Sequence, residues 1–268
     1  MKNVSNIEIT VLISSCDFFS DCWEPMIYSI NKYWSDCPFP VYILSNNKEQ
    51  KDGKVKFLKV GEDRGWADNL LKALHEIDSE YILYLQEDYW LNKNIDTDFI
   101  YKQIQHCDKE KIDYLRLSFP FVDRYKINDM YCKAPLGKHK STLCLQTVVW
   151  RKSVLEKLLV SGWTGWNFEN KIYTYIQKNN IKINALSLLS RYAEKCFSYP
   201  DGTAVRKGRW TVGGYEYLIE NGFDYLLNCR EVEGKFRDYL NHFREKYPFL
   251  KYVGSILIRI MDKFKWNF

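Results

Sequence analysis

The sequence predicts an α/β fold with a mostly parallel central sheet flanked by helices. Three observations carry that expectation. Strand-like and helix-like segments alternate through the first half of the chain, and no linker, repeat or low-complexity stretch interrupts them. The clearest strand, within residues 81–91 (Tyr-Ile-Leu-Tyr-Leu-Gln-Glu-Asp-Tyr-Trp-Leu), stops at two adjacent carboxylates, Glu87 and Asp88. Strand interiors rarely hold unpaired acids, because burying a charge is costly. Acids at a strand's carboxyl end therefore point to a bound cation or polar ligand, at the edge where open α/β sheets bind ligands.

The elements follow in order. Residues 7–14 read as a strand ending in the polar cluster Ser14-Ser15-Cys16-Asp17. Pro25 sits where a helix begins, with Ile27, Ile30 and Trp34 at helical spacing. Residues 41–44 form a second strand, and Val55, Phe57 and Val60 mark a third. Trp66, Leu70, Leu74 and Ile77 repeat as an amphipathic helix before the strand at 81–85. This β-α-β-β-α-β order argues for a parallel sheet covered by helices. Beyond it, Phe99, Ile100 and Ile104 suggest a helix, 114–118 and 143–150 strands, and 153–159 a helix. Residues 161–170 and 199–215, rich in Gly, Trp and charge, read as loops.

At 268 residues the chain suits one large core or two small ones, and the expectation is one catalytic domain over 1–247. Residues 248–268 differ: apolar positions at helical spacing are interleaved with Lys251, Arg259, Lys263 and Lys265, opposed by Asp262. Such a basic amphipathic helix either lies in a membrane interface or docks on the core. The opening residues do not read as a signal peptide, so none is expected, and no uncharged apolar run reaches the roughly 20 residues that span a bilayer. The expected place is the cytoplasm, peripheral at the inner face of the cell membrane. Hydrophobic residues at 46% and charged residues at 27% exclude a disordered chain. The 20 Tyr and 9 Trp offer flat faces that either fill the core or stack on sugars and bases. A net charge of +5 favours anionic partners such as nucleotides or acidic lipid surfaces, with no nucleic acid expected. The eight cysteines form no C-x-x-C pair, which argues against zinc and for scattered thiols. Walker-type, dinucleotide-binding and nucleophile-elbow motifs are missing from the sequence, which lowers ATPases, dehydrogenases and hydrolases.

Several residues could carry chemistry. Asp88 could coordinate a divalent cation, Mg²⁺ or Mn²⁺, that bridges a diphosphate, or it could be satisfied by a backbone amide. Asp17 could accept from a base or ribose, or cap the following helix. Arg206, Lys207 and Arg209 form a basic loop suited to phosphate oxygens or to solvent. Glu169, beside Trp163 and Trp166, is a candidate general base, with a helix-dipole role as the alternative.

Taken together these segments resemble bacterial glycosyltransferases of the GT-A fold, the nucleotide-diphospho-sugar transferases similar to glycosyltransferase family 2. That family marks its nucleotide-sugar site with Asp-x-Asp at a strand end; here the positions read Gln86-Glu87-Asp88, so only the final acid maps directly. Arg64-Gly65-Trp66-Ala67-Asp68-Asn69-Leu70-Leu71 resembles the family's nucleotide-pocket stretch, and Leu143-Cys144-Leu145-Gln146-Thr147-Val148-Val149-Trp150 its strand below the donor sugar. Gly165-Trp166-Asn167-Phe168-Glu169 resembles the loop presenting an acid to the acceptor, and Lys207-Gly208-Arg209-Trp210 the loop closing over the diphosphate. The resemblance spans roughly residues 5–215.

It implies an inverting glycosyltransferase with Glu169 as base and Asp88 at the leaving diphosphate, with or without a metal. Ser14, Ser15, Asp17, Asn69, Glu87, Lys207 and Arg209 are the expected donor-binding residues. The acceptor would be a glycan or lipid-linked oligosaccharide of a bacterial surface polysaccharide, such as lipopolysaccharide, O-antigen or capsule. Two alternatives stand beside it: a sugar nucleotidyltransferase, and a non-catalytic carbohydrate- or membrane-surface-binding protein on the same scaffold.

Overall fold

The computed structural model describes residues 7–118, 125–134 and 143–234. The first half alternates as expected: β1 (Ile9–Ser14), α1 (Trp23–Tyr33), β2 (Val41–Ser45), β3 (Val55–Lys59), α2 (Trp66–His75) and β4 (Tyr81–Gln86). Then come α3 (Thr97–Lys109), β5 (Tyr114–Arg116), β6 (Tyr131–Lys133), β7 (Val148–Arg151) and α4 (Lys152–Leu158). They are followed by α5 (Gly165–Lys178), β8 (Ala185–Leu188) and α6 (Ser190–Cys196), and by β9 (Val205–Arg206), β10 (Arg209–Trp210) and α7 (Val212–Glu220).

Eight strands form one sheet in the order β3-β2-β1-β4-β7-β5-β8-β6. β1 through β4 are mutually parallel, β5 and β8 share their direction, and β7 and β6 run against them. The expected mostly parallel α/β sheet is what forms. Its central strands are buried along nearly their whole length, as a sheet covered on both faces requires. One face carries Leu12, Ile82, Tyr84, Val148 and Trp150 into a core shared with Leu70, Ala73 and Leu74 of α2, Leu155 of α4, and Phe168 and Ile172 of α5. On the other face Ile13, Ile43 and Phe57 are in register, and Trp23 of α1 meets the Phe57 ring edge-on at 5.1 Å.

The chain divides into two compact units, Met1–Glu87 with Leu91–Ser198, and Asp88–Trp90 with Tyr199–Phe268. In the second unit buried Trp90 packs on Trp210 at 5.7 Å and on Tyr217 at 5.3 Å, and Tyr89 lies 5.0 Å from Tyr199.

Two stretches expected as loops are structured. Residues 161–170 run into α5, whose start is fixed by Thr164 Oγ1 accepting from Asn167 N at 3.1 Å. Residues 199–215 contain a β9–β10 hairpin and the start of α7, capped by Thr211. The hairpin turns on Lys207 and Gly208, both left-handed (φ +52° and +78°), as a two-residue turn between twisted strands demands. The strand expected over 143–150 is confined to Val148–Arg151. The tail helix expected at 248–268 lies outside the described residues. Among the described residues no helix is long and apolar enough to cross a membrane.

Candidate active site

The sheet reverses its order at β1. The chain leaves β1 for β2 on one side, while β4 docks on the other with Ser14 opposite Gln86. In open α/β sheets ligands bind outside the carboxyl ends of two strands that diverge in this way. Ser15, Cys16 and Asp17 continue from one end and Glu87 from the other.

Asp17 ties the loops together. Its carboxylate accepts from the backbone N–H groups of Asn46 (2.9 Å), Asn47 (3.0 Å) and Lys48 (3.2 Å), while Asn46 Oδ1 accepts from Asp17 N at 3.1 Å. It thus clamps the segment after β2 to the segment after β1. Ser15 Oγ accepts from Trp23 Nε1 at 2.7 Å, fixing that segment to α1. Asn69, buried at the start of α2, accepts from Arg64 N at 3.0 Å and donates to Asp63 Oδ1 at 2.7 Å. Gly65 N also donates to that oxygen at 2.9 Å, from a turn at φ +89° that favours glycine. Burial pushes the Cys16 thiol up, and the negative charges of Glu87 and Asp63 add to the shift.

The charges of Glu87 and Glu169 both reach one buried tyrosine. The hydroxyl of buried Tyr84 accepts from Trp66 Nε1 at 3.1 Å and shares a hydrogen bond with the Ser14 side chain. Its pKa is raised well above the ordinary phenol, chiefly by burial, and the charges of both Glu87 and Glu169 contribute. Glu169 stands on α5 rather than in a loop. Its Oε1 accepts from Leu145 N at 2.8 Å. The helix start comes close because residue 165 is glycine: a Cβ there would lie 3.2 Å from Leu145 Cδ1. Phe168, the next residue back from Glu169, anchors α5 between Trp66 (5.4 Å) and Trp150 (6.2 Å). Burial raises the Glu169 carboxyl above the usual range, offset in part by the Leu145 amide and the Arg116 guanidinium. Trp163 packs on Tyr175 at 5.6 Å, whereas Trp166 is 77% exposed.

The second unit holds the remaining candidates. Asp88 Oδ2 accepts from Thr203 Oγ1 at 2.5 Å, and Asp88 O accepts from Ala204 N at 2.8 Å. Burial pushes the Asp88 carboxyl up to about 6, against the lowering effect of Thr203, Arg230 and the Val205 amide. Arg206 pairs with buried Glu233 at 2.8 Å and Arg209 with Glu231 at 3.0 Å. Lys207 sits in the hairpin turn. Ser14, Ser15, Asp17, Asn69, Glu87 and Glu169 thus belong to one unit, and Asp88, Lys207 and Arg209 to the other.

The donor set suits a divalent cation poorly. Among the described residues no group of three or more His, Cys, Asp or Glu side chains is placed to hold one. Asp88, the expected ligand, already gives one oxygen to a hydroxyl.

Arg116, Tyr84, Asp63 and Thr203 emerge as site residues only in three dimensions. Arg116 could have been found by the rule that found Glu87, since it is a charge set in the apolar strand Tyr-Leu-Arg-Leu.

No family model matches the chain, and no curated protein sequence matches it either. Solved structures similar to it include the S. aureus TarS fragment 1-349 in complex with UDP, at 15% identity and TM-score 0.45, over 73% of this chain and 62% of that one. The same fragment in complex with UDP-GlcNAc matches at 13% identity and TM-score 0.47, over 71% of this chain and 57% of that one. The chain thus spans less than two thirds of these two TarS fragments. A cytidylyltransferase from Leptospira borgpetersenii matches at 13% identity and TM-score 0.43, over 70% of this chain and 79% of that one.

Proposed function

We propose that the chain is a glycosyltransferase that moves a sugar from a nucleotide-diphospho-sugar to a carbohydrate hydroxyl. The observation that supports this reading is half-buried Glu169, which accepts from Leu145 N at 2.8 Å and whose charge, with that of Glu87, reaches the Tyr84 hydroxyl two residues before the end of β4, the strand end at which open α/β sheets bind ligands. In the proposed reaction Glu169 takes the proton of the acceptor hydroxyl as its oxygen bonds to the anomeric carbon. The bond from that carbon to the phosphate oxygen breaks, and its electron pair leaves with the nucleoside diphosphate. A sugar hydroxyl is a weak nucleophile, and a positioned carboxylate supplies on the order of 10²–10⁴ in rate. Direct displacement of this kind inverts the anomeric centre.

The loops that Asp17 and Asn69 hold in place would receive the nucleoside, with Ser14, Ser15 and Glu87 at their rim. Lys207 and Arg209 are proposed, from their charge, to meet the diphosphate, with Asp88 as the acid at the leaving group. The proposed acceptor is a glycan or a lipid-linked oligosaccharide of a bacterial surface polysaccharide. Exposed Trp166, one turn from Glu169 on α5, offers a face on which a pyranose can stack.

Thermal-shift screening of common nucleotide sugars, with and without Mn²⁺, tests donor binding, because a ligand of the native state raises its stability. The expected result is stabilisation by a nucleotide sugar and release of nucleoside diphosphate when acceptor glycan is added. Release of pyrophosphate from a nucleoside triphosphate and sugar phosphate would instead make it a nucleotidyltransferase. Glycan binding with no turnover would make it a binding protein.

A further inference from the structure

Arg116 is a charge set into the sheet. It closes β5, is only 6% exposed, and follows Tyr114 by two residues, so both side chains leave the same face of the strand. Each grips the segment that leads into β7. Tyr114 Oη donates to the Cys144 carbonyl and accepts from the Cys144 N–H, both at 3.2 Å. Arg116 donates from Nε to Ser118 Oγ at 3.1 Å and from Nη2 to Gln146 Oε1 at 3.0 Å. Between these two grips lies Leu145, whose N–H donates to Glu169 Oε1 at 2.8 Å.

We propose that Arg116 is the positioning residue of the candidate base: it fixes segment 144–146 so that the Leu145 amide meets Glu169. The purpose of that arrangement rests on the transferase reading, but the contact itself does not. A guanidinium keeps its charge when buried, and an opposite charge in a poorly solvated site favours the ionised acid. Among the described residues the Leu145 amide also acts on Glu169, and the Tyr84 hydroxyl of β4 feels the charges of both Glu169 and Glu87.

The test follows the Leu145 amide resonance of the full chain through a pH titration, because that N–H reports the ionisation of its acceptor. In Arg116→Gln the Glu169 midpoint is expected to rise by about half a pH unit or more, and Arg116→Lys to restore much of it. In the transfer assay kcat is expected to fall about tenfold at unchanged donor KM, a loss of about 1.4 kcal/mol. A folded Arg116→Gln protein with the wild-type midpoint and kcat overturns the proposal. Should that variant fail to fold, Gln146→Met frees the segment while keeping the guanidinium. A smaller pH-dependent shift of the Leu145 amide then supports the proposal, and an unchanged titration overturns it. The two readings fail separately. A chain that transfers nothing yet shows the midpoint shift has lost the transferase reading alone, and one that needs Glu169 but ignores Arg116 has lost only this proposal.

Discussion

The carboxyl ends of β1 and β4 and the hairpin unit handle their acids in opposite ways. At the strand ends the partners are mostly amides: Asp17 accepts from three backbone N–H groups, Glu169 from one, and Asp63 from Gly65 and the Asn69 side chain. In the hairpin unit Glu233 meets Arg206, Glu231 meets Arg209 and Asp88 meets Thr203. An amide orients a carboxylate without cancelling its charge, whereas a guanidinium cancels it. The first region therefore keeps a negative field that can attract a proton, and the second commits much of its charge to holding its own fold. Substitution of Glu169 should therefore be read chiefly in activity, and of Glu233 chiefly in stability.

The largest expected effect is on Glu169. Glu169→Gln should lower transfer by two to four orders of magnitude, about what a positioned base supplies, with donor binding unchanged by thermal shift. Loss of donor binding instead would make Glu169 a binding residue and blur the contrast. Next comes the buried pair. Glu233→Gln leaves the Arg206 charge without its carboxylate at a site where Glu233 is only 3% exposed. A cost of about 3–5 kcal/mol in denaturant unfolding is expected, with turnover per folded molecule retained. Asp17→Ala should cost about 1–3 kcal/mol through the amides it strands, and weaken nucleotide binding by loosening the loop.

Smaller effects sharpen the picture. Asp88 carries a folded-state carboxyl raised from 3.8 to about 6. The folded protein thus binds the proton more tightly than the unfolded chain does. That contribution is fully present below about pH 4 and is lost as pH rises through about 6. Asp88→Asn should remove this part of the pH dependence of Tm; a Tm profile identical to wild type between pH 4 and 7 would show that Asp88 does not titrate there. Glu87→Gln should lower the Cys16 thiol pKa, read as faster alkylation near pH 8 over a Cys16→Ser background, because Glu87 is one of the charges holding it up.

Much of the sheet was legible because its signals are local. Apolar runs broken by charge marked β1, β2 and β4, and the helical spacing of Trp66, Leu70 and Leu74 marked α2. The acids at the end of β4 were legible for the same reason. What escaped was short or non-local. β6 and β8 have three and four residues, too few for a period to show. Asp17's partners lie 29 to 31 residues away, so no nearby residue announced the clamp. The 161–170 and 199–215 stretches were misread because Gly and Trp suggested loops, whereas Thr164 and Thr211 capped helices and Lys207-Gly208 closed a hairpin. In each case a turn residue punctuated regular structure rather than replacing it.

The central claim is that Glu169 accepts the acceptor's proton. The pH dependence of kcat/KM for wild type and Glu169→Gln, followed by nucleoside diphosphate release with acceptor present, tests it most directly. The account predicts a rising limb in the wild type with a midpoint above the ordinary carboxylate range, in keeping with the half-buried Glu169, and no such limb in the variant's residual rate. The same limb at the same midpoint in both proteins would assign the proton to another group and contradict the account.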